Sequence, residues 1–324
     1  MTCLIERQTN MKRREFVQIA GKGLIGSSLM TLSAALLPAQ TVSQNKAITA
    51  RQIVERIQKQ AAERGIKWNT SGRKVGDRVI QTVDIFKAGN PDTVVKGIAT
   101  SFMSTFDVLQ RAAAAGKNFI ITHEPTFWNH LDNTADLTDD PIFRQKMEFI
   151  RQNNLVIWRF HDHLHALSPD PIFVAFQRQL GWERHVSAAM RYSYEIPETT
   201  LEALARHFQS ALKTDSMRII GAPGMKVRTV GIAAGHDIIT TMRALPGVDV
   251  VVIAEGREWD SIEYVRDMAD LDRKKGLILL AHEVCEEWGM DDCANWLRGF
   301  IPEVPIEWIS SGEPFWAPVL KNQL

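Results

Sequence analysis

The chain has 324 residues, 45% of them hydrophobic and 23% charged, enough to bury a sizeable core as one large domain or two ordinary ones. Lys plus Arg and Asp plus Glu are equal at 38 each, so no net field draws the protein to nucleic acid or an anionic membrane, and no long block of one sign restores such a role. Three cysteines exclude a disulfide scaffold. Cys3 precedes the fold, and Cys285 and Cys293 stand two helical turns apart, about 12 Å at the helical rise and too far to bridge.

Residues 1–45 read as a targeting segment whose true start is Met11. Arg13-Arg14 precede a weakly apolar, Gly- and Ser-bearing stretch reaching Leu36-Leu37, and Pro38-Ala39-Gln40 suits a cleavage region. This is the pattern of a twin-arginine signal and implies an exported protein, periplasmic or extracellular. Lys22 and the shortness of the apolar run argue against a membrane span in the mature chain.

From Ile48 the chain opens with an amphipathic helix carrying Ile53, Val54 and Ile57 on one face. Arg78–Ile85 alternates like a strand, and Val94–Thr100 reads as a second strand. A helix over Phe106–Ala115 closes at Gly116, the residue expected at a C-cap. Asn118–Thr122 is a short apolar strand breaking into His123-Glu124-Pro125. A helix over Pro141–Asn153 leads to the strand Leu155–Phe160, which breaks into His161-Asp162-His163-Leu164-His165. Gln179–Met225 reads as a strand, a helix over Thr199–Leu212 and a loop, and Thr229–Gly235 and Val248–Ala254 are further apolar strands. Gly276–Ala281 ends in His282-Glu283-Val284-Cys285-Glu286-Glu287, with a helix following through Leu297. Strands alternating with helices predict an α/β architecture with largely parallel pairing.

Five of the nine histidines, His123, His161, His163, His165 and His282, sit at three strand ends, where ligands bind in open α/β sheets. Imidazole and carboxylate are ligands for zinc, iron and manganese, so the pattern predicts a divalent metal centre. His282 and Glu286 are four residues apart and share a face of the opening helical turn. His123 and Glu124 are adjacent and diverge, which suits two neighbouring ions. His161, His163 and His165 share a face if the strand stays extended, with Asp162 pointing away. His130, His185, His207 and His236 are expected to serve locally or on the surface, and Glu255, at another strand end, either approaches the site or is a solvated loop acid.

The run Phe106–Pro125, the His161–His165 cluster and the closing His282–Glu286 pair together resemble the NIF-three-like (NGG-one-interacting factor three) proteins, in family order and over roughly Ile48–Trp308. The family is also described as dinuclear-metal-centre proteins or GTP cyclohydrolase I type 2 homologues. The resemblance implies two interleaved α/β domains, 46–180 with 300–324 and 181–299, holding the metals between them at strand carboxyl ends. It also implies a homo-oligomer, commonly a hexameric ring. His282 and Glu286 match the family's closing ligands. His123-Glu124 falls where the family has His-His, and His165 falls where it has Asp, four residues after a His that here is His161.

The function expected from this is hydrolysis of an unidentified small-molecule substrate by two divalent ions, zinc, iron or manganese, with GTP cyclohydrolase activity implied by the resemblance only. His123, Glu124, His161, His165, His282 and Glu286 form the candidate ligand set, and Asp162 and His163 the candidate groups that orient ligands or move a proton. The alternative is a non-catalytic metal-binding or metal-handling protein, or a partner-binding ring with a structural metal. The His161–His165 run also resembles the His motifs of other metallo-hydrolases, but it lacks the Asp-His that closes one of them and lies too far along the chain for the other.

Overall fold

A computed structural model describes residues 47–66, 73–75, 78–188, 192–233, 247–271 and 273–316. Every described residue belongs to one compact unit, Asn45–Leu324. The expected targeting segment therefore lies outside the described residues.

The first helix, Ala50–Glu63 (α1), starts at a capping box in which Thr49 and Gln52 exchange side-chain and main-chain hydrogen bonds. Arg73–Val75 (β1) and Arg78–Ile80 (β2) pair as a small antiparallel ribbon. Phe86–Ala88 (β3), Ile98–Ser101 (β4), Phe106–Ala114 (α2), Phe119–Thr122 (β5), Pro141–Gln152 (α3) and Val156–Arg159 (β6) follow. Then come the single turn Asp162–His165 (α4) and Pro171–Gln179 (α5). The next elements are Ser193–Thr200 (β7), Leu201–Leu212 (α6), Arg218–Ile220 (β8), Lys226–Ala233 (β9) and Val250–Ile253 (β10). Glu263–Asp270 (α7), Gly276–Leu279 (β11), His282–Arg298 (α8) and Ile306–Trp308 (β12) complete the described chain.

Two five-stranded sheets result, in the orders β12-β4-β5-β6-β3 and β7-β9-β10-β11-β8. The first is parallel except for β3, and the second is parallel across β9-β10-β11 with antiparallel edges. Strands β4, β5, β6, β10 and β11 are buried at every residue because helices cover both faces of each sheet. On the first sheet, Ile53 and Ile57 of α1 and Met290 and Leu297 of α8 fill one face, and Val108, Leu109 and Ile150 of α2 and α3 fill the other. On the second, Leu204 and Phe208 of α6 cover one face and Val265 of α7 lies on the other.

Helix α8 links the two sheets. Val284 and Cys285, in its first turn, belong to the core of the second sheet, whereas Met290 to Leu297 belong to that of the first. It crosses α5 at Gly289, where an added Cβ would lie 2.3 Å from Ile172 Cδ1 and 2.9 Å from its Cα, so only glycine permits this approach. The crossing brings the carboxyl ends of both parallel strand sets to one place.

Two strand expectations need correction. The strand expected over Arg78–Ile85 pairs only as far as Ile80, because Asp84 turns its carboxylate onto the backbone at residues 161–163. The strand expected from Val94 begins at Ile98, because the Asn118 side chain engages Lys96 N and Val94 O, and Val94 bridges Thr49. Short edge strands β3, β8 and β12, three residues each, gave too little periodicity to stand out. The helix over Phe106–Ala114 does stop before Gly116, whose φ of +71 is left-handed.

Candidate metal centre

Strand β5 ends at Thr122, and His123 and Glu124 follow with their main-chain N–H groups donating to Phe102 O at 3.1 and 2.7 Å. The His123 ring is fully buried: its Nδ1 lies 3.0 Å from Phe160 O, and its Nε2 lies 3.2 Å from Glu286 Oε2. One Glu124 oxygen accepts from Arg159 at 2.8 Å, and the other lies 3.3 Å from His161 Nε2. Arg159, the last residue of β6, is fully buried and also donates to His123 O at 2.9 Å and His130 O at 2.5 Å, so one guanidinium pins the loop after β5.

The run after β6 is not extended. Residues Asp162–His165 form a helical turn, so His161 and His165, four apart, share a face while His163 turns away. Asp84 causes the turn: its Oδ1 accepts from His161 N at 2.7 Å and Asp162 N at 3.0 Å, and its Oδ2 from His163 N at 2.9 Å and His163 Nδ1 at 2.6 Å. A buried carboxylate gathering three successive N–H groups nucleates a helix start, which overrides the period-two pattern of the sequence. The His161, His123 and His165 rings now lie with centroids 4.7 to 5.0 Å apart, and a ring nitrogen of each lies within 4.8 Å of the others.

The second sheet supplies the opposite wall. His282 and Glu286 rise from the first turn of α8 after β11, with His282 Nε2 3.2 Å from Glu286 Oε2. Glu255, just past β10, accepts from His282 Nδ1 at 3.0 Å and is therefore part of the site rather than a free loop acid. His123, Glu124 and Glu286 form a second cluster whose donor atoms also lie within 4.8 Å of one another.

Four imidazoles are held in the same way. The Nδ1 atoms of His123, His161, His165 and His282 are engaged by Phe160 O, Asp162, Asp170 and Glu255 respectively, at 2.9 to 3.0 Å. This fixes each tautomer and leaves Nε2 as the free donor, the arrangement by which an outer carboxylate or carbonyl orients a metal-binding histidine. His123 Nε2 and Glu286 Oε2 are buried and have no hydrogen-bond partner; at 3.2 Å from each other they are misaligned for one. Orphaned polar atoms at such depth are costly, and a cation between them removes the cost. The residues therefore fit a divalent ion.

The electrostatics agree with that fit. Burial works against ionisation of Glu124, yet contact with His161 and the charges of His123 and Arg159 bring its pKa down to about 2. Burial likewise pulls His161 down, but hydrogen bonding to Asp162 and contact with Glu124 outweigh it and raise it to about 9. Glu286 is held well below the usual carboxylate range, against its burial, by the charge on His282 and by His123. His282 is held well above the usual imidazole value, again against burial, by Glu286 and Glu255. Burial lowers the His123 pKa against the opposing pull of Glu286. Without a metal, protons on His161 and His282 balance two buried carboxylates, so the cluster demands positive charge.

Beside it opens a cleft of about 590 Å³, walled by Glu124, Glu255 and His282 on the side of the cluster and by Phe106, Trp128 and Lys146 on the other. Trp128 is 56% exposed and held at φ 59, an uncommon conformation for so large a residue. Lys146 lies 5.4 Å from the Trp128 ring centroid and donates to Thr126 O, and burial lowers its pKa to about 8.

Of the residues singled out from sequence, His123, Glu124, His161, His165, His282 and Glu286 converge here. Asp162 lies behind His161 and also accepts from Val83 N at 3.1 Å. His163 is buried against Asp84 and belongs to neither donor cluster. His130 stands 6.0 Å from His161, ring to ring, while His185 and His207 serve locally, bonding Glu195 O and Leu180 O, and His236 lies outside the described residues. Sequence reasoning missed Asp84, Arg159 and Asp170. A signal existed for Arg159, a lone charge inside an apolar strand, and for Asp170, an N-cap ahead of Pro171.

The fold and site define an α/β protein with two parallel-centred sheets and a His/carboxylate candidate metal centre where their strands end. Residues 48–313 match the model of the Duf34/NIF3 (NGG1p interacting factor 3) family, and the chain belongs to that family. It is 24% identical over 196 residues to a Clostridium acetobutylicum protein named "GTP cyclohydrolase 1 type 2 homolog", covering 56% of this chain and 70% of that one. Among solved structures, the Bacillus cereus protein related to NIF3 shares the fold at a TM-score of 0.62 with 14% identity, over 84% of this chain and 100% of that one. A Staphylococcus aureus hypothetical protein does so at 0.61 with 16% identity, over 84% and 100%.

Proposed function

We propose that this chain is an exported hydrolase that works through two divalent ions held between its sheets. The observation that carries the reading is the common orientation of four imidazoles, each with Nδ1 tied, around two buried carboxylates that include an orphaned oxygen. His123, His165 and Glu286 are the residues for one ion, with His161 beside them, and Glu124, His282 and Glu286 for the other. Ions bound there supply Lewis acidity toward a polar substrate group and toward water.

The rest of the chemistry falls to the chain's own groups. Asp162 holds the His161 ring in place, and Asp170 does the same for His165. Glu255 is half-exposed at the cleft and bonded to His282, which suits it to carry a proton between the cleft and the cluster. Trp128 and Phe106 offer ring faces to a substrate entering the cleft and limit water there. The name of the Clostridium relative makes nucleotide ring-opening one reaction of this class to try. Export rests on the Arg13-Arg14 segment, and a ring-shaped homo-oligomer rests on family resemblance.

The test is metal content per chain by elemental analysis, on the parent and on a His282→Ala, Glu286→Ala variant. It is followed by a screen of nucleotides, phosphoesters and amides with chelator and metal add-back. Two ions per chain, lost in the variant, and turnover abolished by chelator and restored by metal are expected. Metal-free parent protein, or a variant that keeps both ions, refutes the centre. Bound metal with no turnover across the screen refutes the hydrolase and leaves a metal-binding protein.

A further inference from the structure

The cleft beside the cluster has a second wall, and a cation without a counter-charge lines it. Lys146 reaches the cleft from α3, is 4% exposed and donates to Thr126 O, which leaves two of its three N–H groups for other acceptors. No described carboxylate forms an ion pair with it. Asp132 is the acid whose charge acts on it, but both Asp132 oxygens are occupied. One accepts from Thr126 N and Phe127 N at 2.7 and 2.8 Å, and the other lies 3.3 Å from Lys87 and 3.9 Å from Arg159. Glu124 is engaged by Arg159 at 2.8 Å, and Asp84, which also acts on Lys87, is spent on the backbone at residues 161–163. Of the buried cations Lys87, Lys146 and Arg159, the one left without a carboxylate is therefore the one that lines the cleft. In place of an acid it has the ring faces of Trp128 and Phe127, with centroids at 5.4 and 5.7 Å, which compensate a buried ammonium only in part.

Trp128 stands next to this ammonium in a loop that is tied down on both sides of it. Asn129 Nδ2 donates to Phe127 O at 3.1 Å and to Asn133 O at 2.8 Å, and its Oδ1 accepts from Asn133 N at 2.8 Å. These bonds, with those to Asp132, offset the cost of the left-handed backbone at Trp128, a kind of strain that gathers at ligand sites. Phe106, braced edge-on against Phe149 with centroids 5.2 Å apart, adds a second apolar surface. The facing wall carries Glu124 and Glu255, so one ammonium stands opposite two carboxylates and a polyanion would meet like charge there. No described lining residue is an arginine, the side chain whose planar fork gathers phosphate oxygens in pairs.

We infer that the cleft binds a flat, ring-bearing monocarboxylate, with its carboxylate on Lys146 and its ring against Trp128. A volume of about 590 Å³ accommodates a fused ring with room for a further group directed at the His282 wall. The Lys146 pKa, lowered by burial to about 8, leaves the ammonium charged at neutral pH, where a ligand carboxylate supplies the missing counter-charge. Trp128 and Phe106 select a flat apolar body, and Lys146 selects its charge. The inference deepens the hydrolase reading above by naming its substrate class, and it sets ring carboxylates ahead of nucleotides.

The experiment is calorimetric titration of the full mature protein, as isolated and after chelation, with 2-naphthoate, 2-naphthamide, 2-naphthyl phosphate and GTP. The same titrations are made on Lys146→Met and Trp128→Ala, with folding checked by circular dichroism. The parent is expected to bind naphthoate about 10–100-fold more tightly than the neutral amide, and more tightly than the phosphate or GTP. Lys146→Met loses the preference for carboxylate over amide, a change that a merely structural lysine would not produce. Trp128→Ala weakens acid and amide alike, by about 3–10-fold. Should Lys146→Met fail to fold, Lys146→Gln, which keeps a donor for Thr126 O, replaces it and is expected to lose the preference as well. A parent that does not bind naphthoate, a folded Lys146 variant that keeps the preference, or tighter binding of the phosphate or GTP would overturn the inference. Naphthoate binding that vanishes on chelation places the acid on an ion, which overturns the inference and leaves the metal centre intact. A parent that holds no metal yet binds naphthoate through Lys146 refutes the metal centre and supports the inference.

Discussion

Replacing Asp84 by Ala tests whether a single buried carboxylate builds the turn that presents His161 and His165. The side chain is fully buried and accepts from three main-chain N–H groups and one imidazole. A buried donor left without an acceptor costs about 1–3 kcal/mol, and water refilling the space keeps each loss near the lower bound, so the four together come to about 4 kcal/mol. Against a native stability of about 5–15 kcal/mol this is a large fraction. With a urea slope of about 3 kcal/mol/M the midpoint falls by on the order of 1 M with the slope unchanged. Asp84→Asn keeps the two bonds at Oδ1 but turns an amide N–H₂ toward the His163 donors, so it is expected to lose about half as much. Metal affinity, measured by chelator competition, should drop about 10–100-fold in both because the turn is no longer held. A midpoint shift below about 0.3 M for Asp84→Ala, with metal affinity unchanged, would refute the argument.

In the metal-free protein His161 has a folded-state pKa of about 9 against 6.5 ordinarily, so its stabilising contribution is complete below about 6.5 and lost as pH rises through 9. Urea midpoints of the metal-free protein should therefore fall over that interval, and a flat profile contradicts the assignment. Glu124, lowered from 4.5 to about 2, has the opposite sign: its contribution is present above 4.5 and disappears as pH falls toward 2. Gly289→Ala should destabilise by about 1–3 kcal/mol in thermal or urea unfolding, because the overpacking against Ile172 outweighs the gain of about 1 kcal/mol in helix propensity. Cys285 and Cys293 are free and buried, with burial raising both thiols, so a thiol reagent should modify neither until the protein is unfolded; prompt labelling of the native protein would contradict their placement.

Much of this protein was legible in its sequence because the signals are local. Apolar runs that end in histidine mark strands whose carboxyl ends carry the candidate ligands, and His282 with Glu286 four residues on is a helical pair that needs no tertiary context. The caps at Thr49, Thr105, Asp140 and Asp170 are local too, each lying next to the helix it starts, although the reading of the sequence did not use them. What no local pattern contains is the set of partners brought from elsewhere in the chain. Asp84 lies 77 residues before His161, and it converts an alternating run into a turn, moving His163 out of the cluster and pairing His161 with His165. Arg159 finds Glu124 35 residues away, and Glu255 finds His282 across two strand ends. Periodicity reports which face a residue occupies in an assumed element. Only packing decides which element forms when a buried charge offers its hydrogen bonds to the backbone, and only the crossing of α8 over α5 at Gly289 decides that the two sets of strand ends meet.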